Sequence, residues 1–244
     1  MPPLRSEAPA AFTRWMLHDL VGGSVDPVDA TALVDGIAAA EALAEAAQSR
    51  VALPLGAIQA RATLVELLIE RVGAAESPFL EELRKRLWPA PEIAEELVGM
   101  ALAGWESTAA VVTTALTIGL PRDPTEGDVN ELLRLYPSSW LIVRVMTGDE
   151  PWGSAGDLAV VSPWISQRSP AWRESERFDP TRSGDPAAFP FGAGPRRCPA
   201  DLYARTQITV ALAAFGGHQG RTGHPELLGH RSATLIPDVV RSVP

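Results

Sequence analysis

The chain's single cysteine, Cys198, stands in the run Phe191-Gly192-Ala193-Gly194-Pro195-Arg196-Arg197-Cys198-Pro199-Ala200. Glycines and a proline in that order make a tight turn whose backbone N–H groups are able to converge on one atom. Pro199 suits the first position of a helix, expected to continue from Ala200 to Phe215 until Gly216-Gly217 stops it. Cys198 is thereby expected at a helix N-terminus beside two arginines. Both surroundings favour the thiolate, the form that ligates metal. The bland alternative is a small apolar core residue, which the neighbouring arginines and glycines argue against. A phosphate-cradling glycine loop is the rival chemistry, but the run lacks the Gly-Lys-Ser/Thr ending and follows no clear strand.

Three further groups bear on chemistry. Ala103-Gly104-Trp105-Glu106-Ser107-Thr108 lies in a helical stretch, where a glycine costs roughly 1 kcal/mol against alanine and so marks a close approach or a local opening. An acid followed by two hydroxyls is able to pass protons; small residues that merely permit tight packing are the plainer reading. Glu131 and Arg134 share one helix face, a pairing worth only about 0.2–0.5 kcal/mol at a surface. Arg144 falls on an apolar face of a strand expected from Trp140 to Met146, where it asks for an anionic partner, against the alternative of a solvated edge charge.

The elements that must position these groups are mostly helices. Helical stretches are expected over Ala10–Val21, Pro27–Arg50 and Ala57–Val72, the last burying Ile58, Ala62, Val65, Ile69 and Val72. Ser77-Pro78 opens a shorter helix that ends by Trp88-Pro89, and Pro91-Glu92 begins the longest one. Thr125-Glu126-Gly127-Asp128 has capping-box spacing and starts the helix that carries Glu131 and Arg134. Short strands are expected over Leu158–Val161 and Ser232–Ile236. The fold class is mainly α with a small β component.

In this order the signals resemble the cytochrome P-450 family. Phe191, Gly194, Arg196 and Cys198 stand at the spacing of its heme-ligand loop, with Ala200 where the family usually has glycine. The resemblance implies Cys198 as the axial thiolate of heme iron and Arg196 and Arg144 as propionate partners. It implies that Ala103, Gly104, Glu106 and Ser107 or Thr108 form the oxygen-activating step. It further implies that Glu131, Arg134 and Arg177, the arginine of Glu176-Arg177-Phe178, make a buried structural network. The expected cofactor is heme b, and the activity is that of a heme-thiolate monooxygenase acting on a small apolar substrate. Electrons would come from a separate ferredoxin- or flavoprotein-type donor docked on Arg196, Arg197 and Arg205. The alternative is a heme-free scaffold or helper protein, or a non-functional fragment. Residues 1–244 are expected to form one domain, with weak resemblance over 1–90 and the heme-binding core over 91–244. This corresponds to the C-terminal two-thirds of the family fold, truncated at the N-terminus and internally shortened between Gly119 and Glu131.

Composition narrows the classes. A chain of 244 residues has room for a real core, and 21 basic against 30 acidic residues leave a net charge of −9, unsuited to nucleic acid or an anionic membrane. One cysteine admits no internal disulfide, and the N-terminus shows no basic-then-apolar signal, so a cytoplasmic location is expected. The apolar run Leu97–Leu120 contains Glu106 and is rich in Ala, Gly and Thr, as suits a buried helix rather than a membrane span. His18, His218, His224 and His230 show no metal-ligand spacing.

Overall fold

The computed structural model describes residues 4–22, 27–74, 77–104, 106–216, 227–229 and 235–237. The chain divides into two compact units, Met1–Glu106 and Ser107–Pro244. His218, His224 and His230 and the start of the expected last strand, residues 232–234, lie outside the described residues.

The first unit is helical: α1 (Leu4–Val21), α2 (Pro27–Gln48), α3 (Leu55–Ala74), α4 (Pro78–Lys85) and α5 (Ala90–Gly104). Its core joins Leu17, Leu33, Ile37, Leu64, Leu68, Val72, Leu80, Ile93 and Leu97. The buried stripe of α3 is Leu64, Leu68 and Val72; of the face expected from the sequence Val72 is buried, Ala62, Val65 and Ile69 are half-buried and Ile58 is 43% exposed, so the buried face is shifted toward Leu64. The reason is α2, which packs along α3 and brings Gly36 against Leu64 so closely that a Cβ at residue 36 would overlap the leucine side chain. Ser77 starts α4 by accepting from Leu80 N–H at 3.1 Å, and its own hydroxyl donates to the Leu20 carbonyl at 2.7 Å, tying the cap to the end of α1.

The stretch read as one long helix is two. α5 ends at Gly104, Glu106 sits in a turn, and α6 (Ser107–Ile118) opens the second unit. Among the described residues the longest helix is α2, not this one. The glycine that weakens the helix is where it stops, and a Cβ at Gly104 would lie 3.4 Å from the Met16 sulfur of α1. Among the described residues no helix is long and apolar enough to cross a membrane.

In the second unit α6 packs against α9 (Asp201–Phe215) and α7 (Glu126–Leu135). Ala109 to Ala115, Leu132, Leu133, Leu135, Ile208, Ala211 and Leu212 are buried there. The Thr125 hydroxyl accepts from Asp128 N–H at 3.1 Å while the Asp128 carboxylate accepts from Thr125 N–H at 2.8 Å, completing the expected capping box at the start of α7. A short α8 (Pro163–Ser166) is capped by Ser162. The two-stranded antiparallel sheets are β1 (Ile142–Val145) with β2 (Leu158–Val161), and β3 (Leu227–Gly229) with β4 (Leu235–Pro237). β3 carries no signal in the sequence. In the first sheet Val143 pairs with Val160 and Val145 with Leu158, so these four share one face, and all are exposed.

Within α7, Gly127 is required by a close approach: a Cβ there would overlap the Pro180 carbonyl oxygen. Gly127→Ala improves helix propensity by up to about 1 kcal/mol, yet the overlap is with backbone that has to move, at a cost of about 1–3 kcal/mol. The expected outcome is a net loss, read as a lower urea midpoint of unfolding.

Candidate functional site

The second unit is organised around a buried ion pair. Arg134 and Glu131 sit on one face of α7 with 1% and 3% of their surface exposed. The Arg134 Nε and Nη2 groups donate to the two Glu131 carboxylate oxygens, both at 2.7 Å. Its Nη1 donates to the carbonyls of Gln167 at 2.6 Å and Ser175 at 2.8 Å, and Nη2 donates again to the Arg177 carbonyl at 3.1 Å. Every N–H of the guanidinium is thereby used, and its central carbon lies 5.1 Å from the Trp172 ring centroid. A buried charge this fully partnered is a fixed point in the structure, because removing one member strands the rest.

The third member differs from the expectation. The Arg177 side chain is 66% exposed and its Nη1 donates to Glu174, so it supplies the network with a backbone carbonyl only. The guanidinium that joins Glu131 belongs to Arg182, whose Nε donates to Glu131 Oε1 at 3.0 Å. Arg182 is 7% exposed at its side chain, and its other N–H groups reach Asp185, the Arg177 carbonyl at 3.0 Å, the Glu174 carbonyl at 3.4 Å and the Arg173 carbonyl. The segment from 167 to 190 has no helix or strand of its own. Its carbonyls still need donors, and two buried guanidiniums provide them. The carboxylate takes Arg134, Arg182 and the Asp179 N–H, while Arg177 points outward. The signal for the third member lies in Asp179-Pro180-Thr181-Arg182, five positions beyond Arg177.

Asp185 closes this cluster. The Arg173 N–H, and after it the Arg182 guanidinium, hold its carboxyl below the ordinary 3.8, against the opposing effect of burial. A carboxyl whose pKa is lower when folded stabilises the fold above its unfolded pKa, and that contribution disappears as pH falls through the folded value. Asp185→Asn is therefore expected to lower the urea midpoint at neutral pH, and the gap to wild type should close as the solution is acidified below about pH 4. A gap that stays constant with pH would contradict this assignment.

The loop of Cys198 is built from backbone bonds. Gly192 and Gly194 have φ of +73° and +70°, a region that favours glycine, and the Gly192 N–H donates to the Phe189 carbonyl at 2.9 Å. Gly194–Arg196 form one 3-10 turn, closed by the Arg197 N–H donating to the Gly194 carbonyl at 3.1 Å. The Cys198 N–H turns back to the Phe191 carbonyl at 2.9 Å. That return closes the loop before a helix starts, so α9 begins at Asp201 rather than at Pro199, with the Ala204 N–H donating to the Ala200 carbonyl at 2.8 Å. Cys198 is a free, exposed thiol, and the helix end stands beyond it instead of directly on it.

Of the arginines around this loop, Arg196 is exposed. Arg197 is paired with Asp201, and Arg205 donates to Asp201 at 2.6 Å and to Asn130 at 2.6 Å while its guanidinium lies 5.4 Å from the Phe191 ring centroid. The basic face expected of Arg196, Arg197 and Arg205 is therefore partly neutralised by Asp201. Arg144 is exposed on β1 and its guanidinium donates to the Val143 carbonyl at 2.8 Å.

Ala103, Gly104 and Glu106 belong to the first unit, and Ser107 and Thr108 open the second. Ala103 is exposed, Gly104, Glu106 and Ser107 are half-buried, and Thr108 is buried. Further along α6, the hydroxyls of Thr113, Thr114 and Thr117 donate to the carbonyls four residues back, at 2.7, 2.8 and 2.7 Å. Among the described residues no group of three or more His, Cys, Asp and Glu side chains is arranged to hold a metal ion.

Comparison with known proteins gives one consistent result. The family model described as Cytochrome P-450 matches residues 124–215. Cyclooctatin synthase of Streptomyces melanosporofaciens is 30% identical over 169 residues, covering 52% of this chain and 36% of that protein. Pentalenene oxygenase of Streptomyces avermitilis is 36% identical over 104 residues, covering 37% of this chain and 23% of that protein. A six-coordinated cytochrome P-450 from Thermus thermophilus superposes with a TM-score of 0.68 at 25% identity, covering 96% of this chain and 66% of that one. The chain thus aligns with about a third or less of these curated relatives and with about two-thirds of that solved structure.

Proposed function

We infer that the chain is a member of the cytochrome P-450 family, whose model matches residues 124–215, and a heme-dependent oxidoreductase of the monooxygenase type, with heme b held through Cys198. The observation that carries this reading is the Cys198 loop. It presents one exposed thiol at the end of a glycine turn, and no multidentate side-chain cluster stands among the described residues. A single protein sulfur is the donor that suits a metal arriving with its other ligands already in a macrocycle. Exposed Arg196 and Arg144 offer guanidiniums to its two carboxylates. Phe191 and Gly194 shape the turn that carries Cys198.

When bound, a thiolate-ligated heme supplies the electron push that favours O–O cleavage. The chain's own residues do the rest. The Glu106 carboxyl takes up protons from water and passes them to the hydroxyl of Ser107 or Thr108, at the break between α5 and α6. Glu131, Arg134 and Arg182 do no chemistry; they fix the segment that leads into the loop. The substrate is a small apolar molecule and the electrons come from a separate ferredoxin- or flavoprotein-type donor in the cytoplasm. Arg196 and the half-neutralised Arg197 and Arg205 provide the docking charge.

Titration of the purified protein with hemin tests this reading. One equivalent is expected to bind with a sharpened Soret band, and a protein that takes up no hemin would overturn it. Arg144→Ala is expected to weaken hemin affinity by about tenfold, the loss of one hydrogen bond to a charged group. The urea midpoint should stay unchanged, because Arg144 is exposed and, among the described residues, its guanidinium bonds only the neighbouring carbonyl.

A further inference from the structure

Gln167 is fully buried, at 0% exposure, at the start of the irregular segment 167–190. It ends α8, where its N–H donates to the Pro163 carbonyl at 2.9 Å. Its remaining polar groups look in two directions. The backbone carbonyl accepts from Arg134 Nη1 at 2.6 Å, and the side-chain Nε2 donates to the Arg134 carbonyl at 3.2 Å. The side-chain Oε1 accepts from the Phe189 N–H at 2.8 Å. The Phe189 carbonyl accepts from the Gly192 N–H at 2.9 Å, and the Phe191 carbonyl in turn holds the Cys198 N–H.

We propose that Gln167 is a positioning residue for Cys198, carrying the fixed location of the Glu131–Arg134 pair to the first peptide of the cysteine loop. The chemistry requires an amide. The Arg134 carbonyl only accepts and the Phe189 N–H only donates, so the residue between them must offer one donor and one acceptor at a fixed separation. Buried and lacking either partner, those backbone groups would be left unpaired, and the loop would lose its link to α7. Gln167 touches neither substrate nor cofactor; it acts through Phe189 and the loop.

Two variants of the full chain test this. Gln167→Met keeps the length and removes both bonds, whereas Gln167→Glu keeps the acceptor for Phe189. Amide hydrogen exchange is read without hemin, comparing residues 189–198 with α9. In Gln167→Met, exchange over 189–198 should quicken at least about tenfold while α9 keeps wild-type rates. Gln167→Glu, which has no donor for the Arg134 carbonyl, cuts the link at its α7 end and should also quicken exchange over 189–198 while α9 keeps wild-type rates. A second readout, dissociation of bound hemin, rests on the heme reading above and should be about tenfold faster in Gln167→Met and faster than wild type in Gln167→Glu as well.

The two failures are distinguishable. If wild-type protein takes up no hemin, the heme reading falls and the exchange data still decide on Gln167. If hemin binds but Gln167→Met exchanges like wild type over 189–198, the positioning role is overturned and the heme reading stands. Equal acceleration in the loop and in α9 would also overturn it, since that is a general loss of stability. Should Gln167→Met fail to fold, Gln167→Glu decides, and wild-type protection over 189–198 in that variant contradicts the proposal.

Discussion

Replacing Arg182 with alanine is expected to destabilise the protein by about 3–5 kcal/mol, the scale for breaking a buried ion pair by removing one partner. The variant removes one of the two guanidiniums on Glu131 Oε1 and uncovers the carbonyls of Arg173, Glu174 and Arg177 together with the Asp185 carboxylate. Arg177→Ala, five residues earlier, should change stability by less than about 0.5 kcal/mol, because it removes a single exposed pair with Glu174. Urea unfolding followed by circular dichroism checks both. Equal losses in the two variants would contradict this network, and so would a larger loss from Arg177. The contrast is sharp because both residues lie in the same irregular segment and carry the same charge.

The second large effect is expected at the sulfur. Cys198→Ser should fold normally, because the side chain is exposed and the bond that places it uses the backbone N–H. Its effect is on ligation. A serine hydroxyl is a far weaker iron ligand than a thiolate, and the chain contains no other sulfhydryl to take over. The variant is expected to lose the thiolate-type absorption signature completely and, with it, oxygenase turnover. Residual hemin uptake through Arg196 and Arg144 is compatible with this, since the role proposed for those arginines is to hold the heme carboxylates. A Cys198→Ser protein whose spectrum matches wild type would place the iron elsewhere.

Much of the site was legible because its signals are local. The capping box at Thr125, the glycine turn and the spacing of Glu131 and Arg134 follow from residues within one or two turns of each other. The break at Gly104 was visible as a propensity defect, though the sequence could not show that the helix restarts at Ser107. What stayed hidden depends on distant partners. Arg177 and Arg182 look alike along the chain, and only the path of the segment decides which guanidinium reaches Glu131. Gln167 reads as an ordinary polar residue, and its burial becomes apparent only when α7 and Phe189 close on it from both sides. The same holds for α3, where Gly36 of α2 selects the Leu64 stripe over its neighbour. For Cys198 the loop's backbone return to Phe191 delayed α9 by two residues, a consequence of closure that helix-start rules do not contain.

The claim on which everything else rests is that iron is bound by the sulfur of Cys198. It is tested most directly by the absorption spectrum of the hemin-loaded protein, reduced and exposed to carbon monoxide. A Soret band shifted to the thiolate-ligated position, and missing in Cys198→Ser, is the predicted result. A band at the position of a nitrogen-ligated heme, or the same thiolate-type band in Cys198→Ser, would contradict the account.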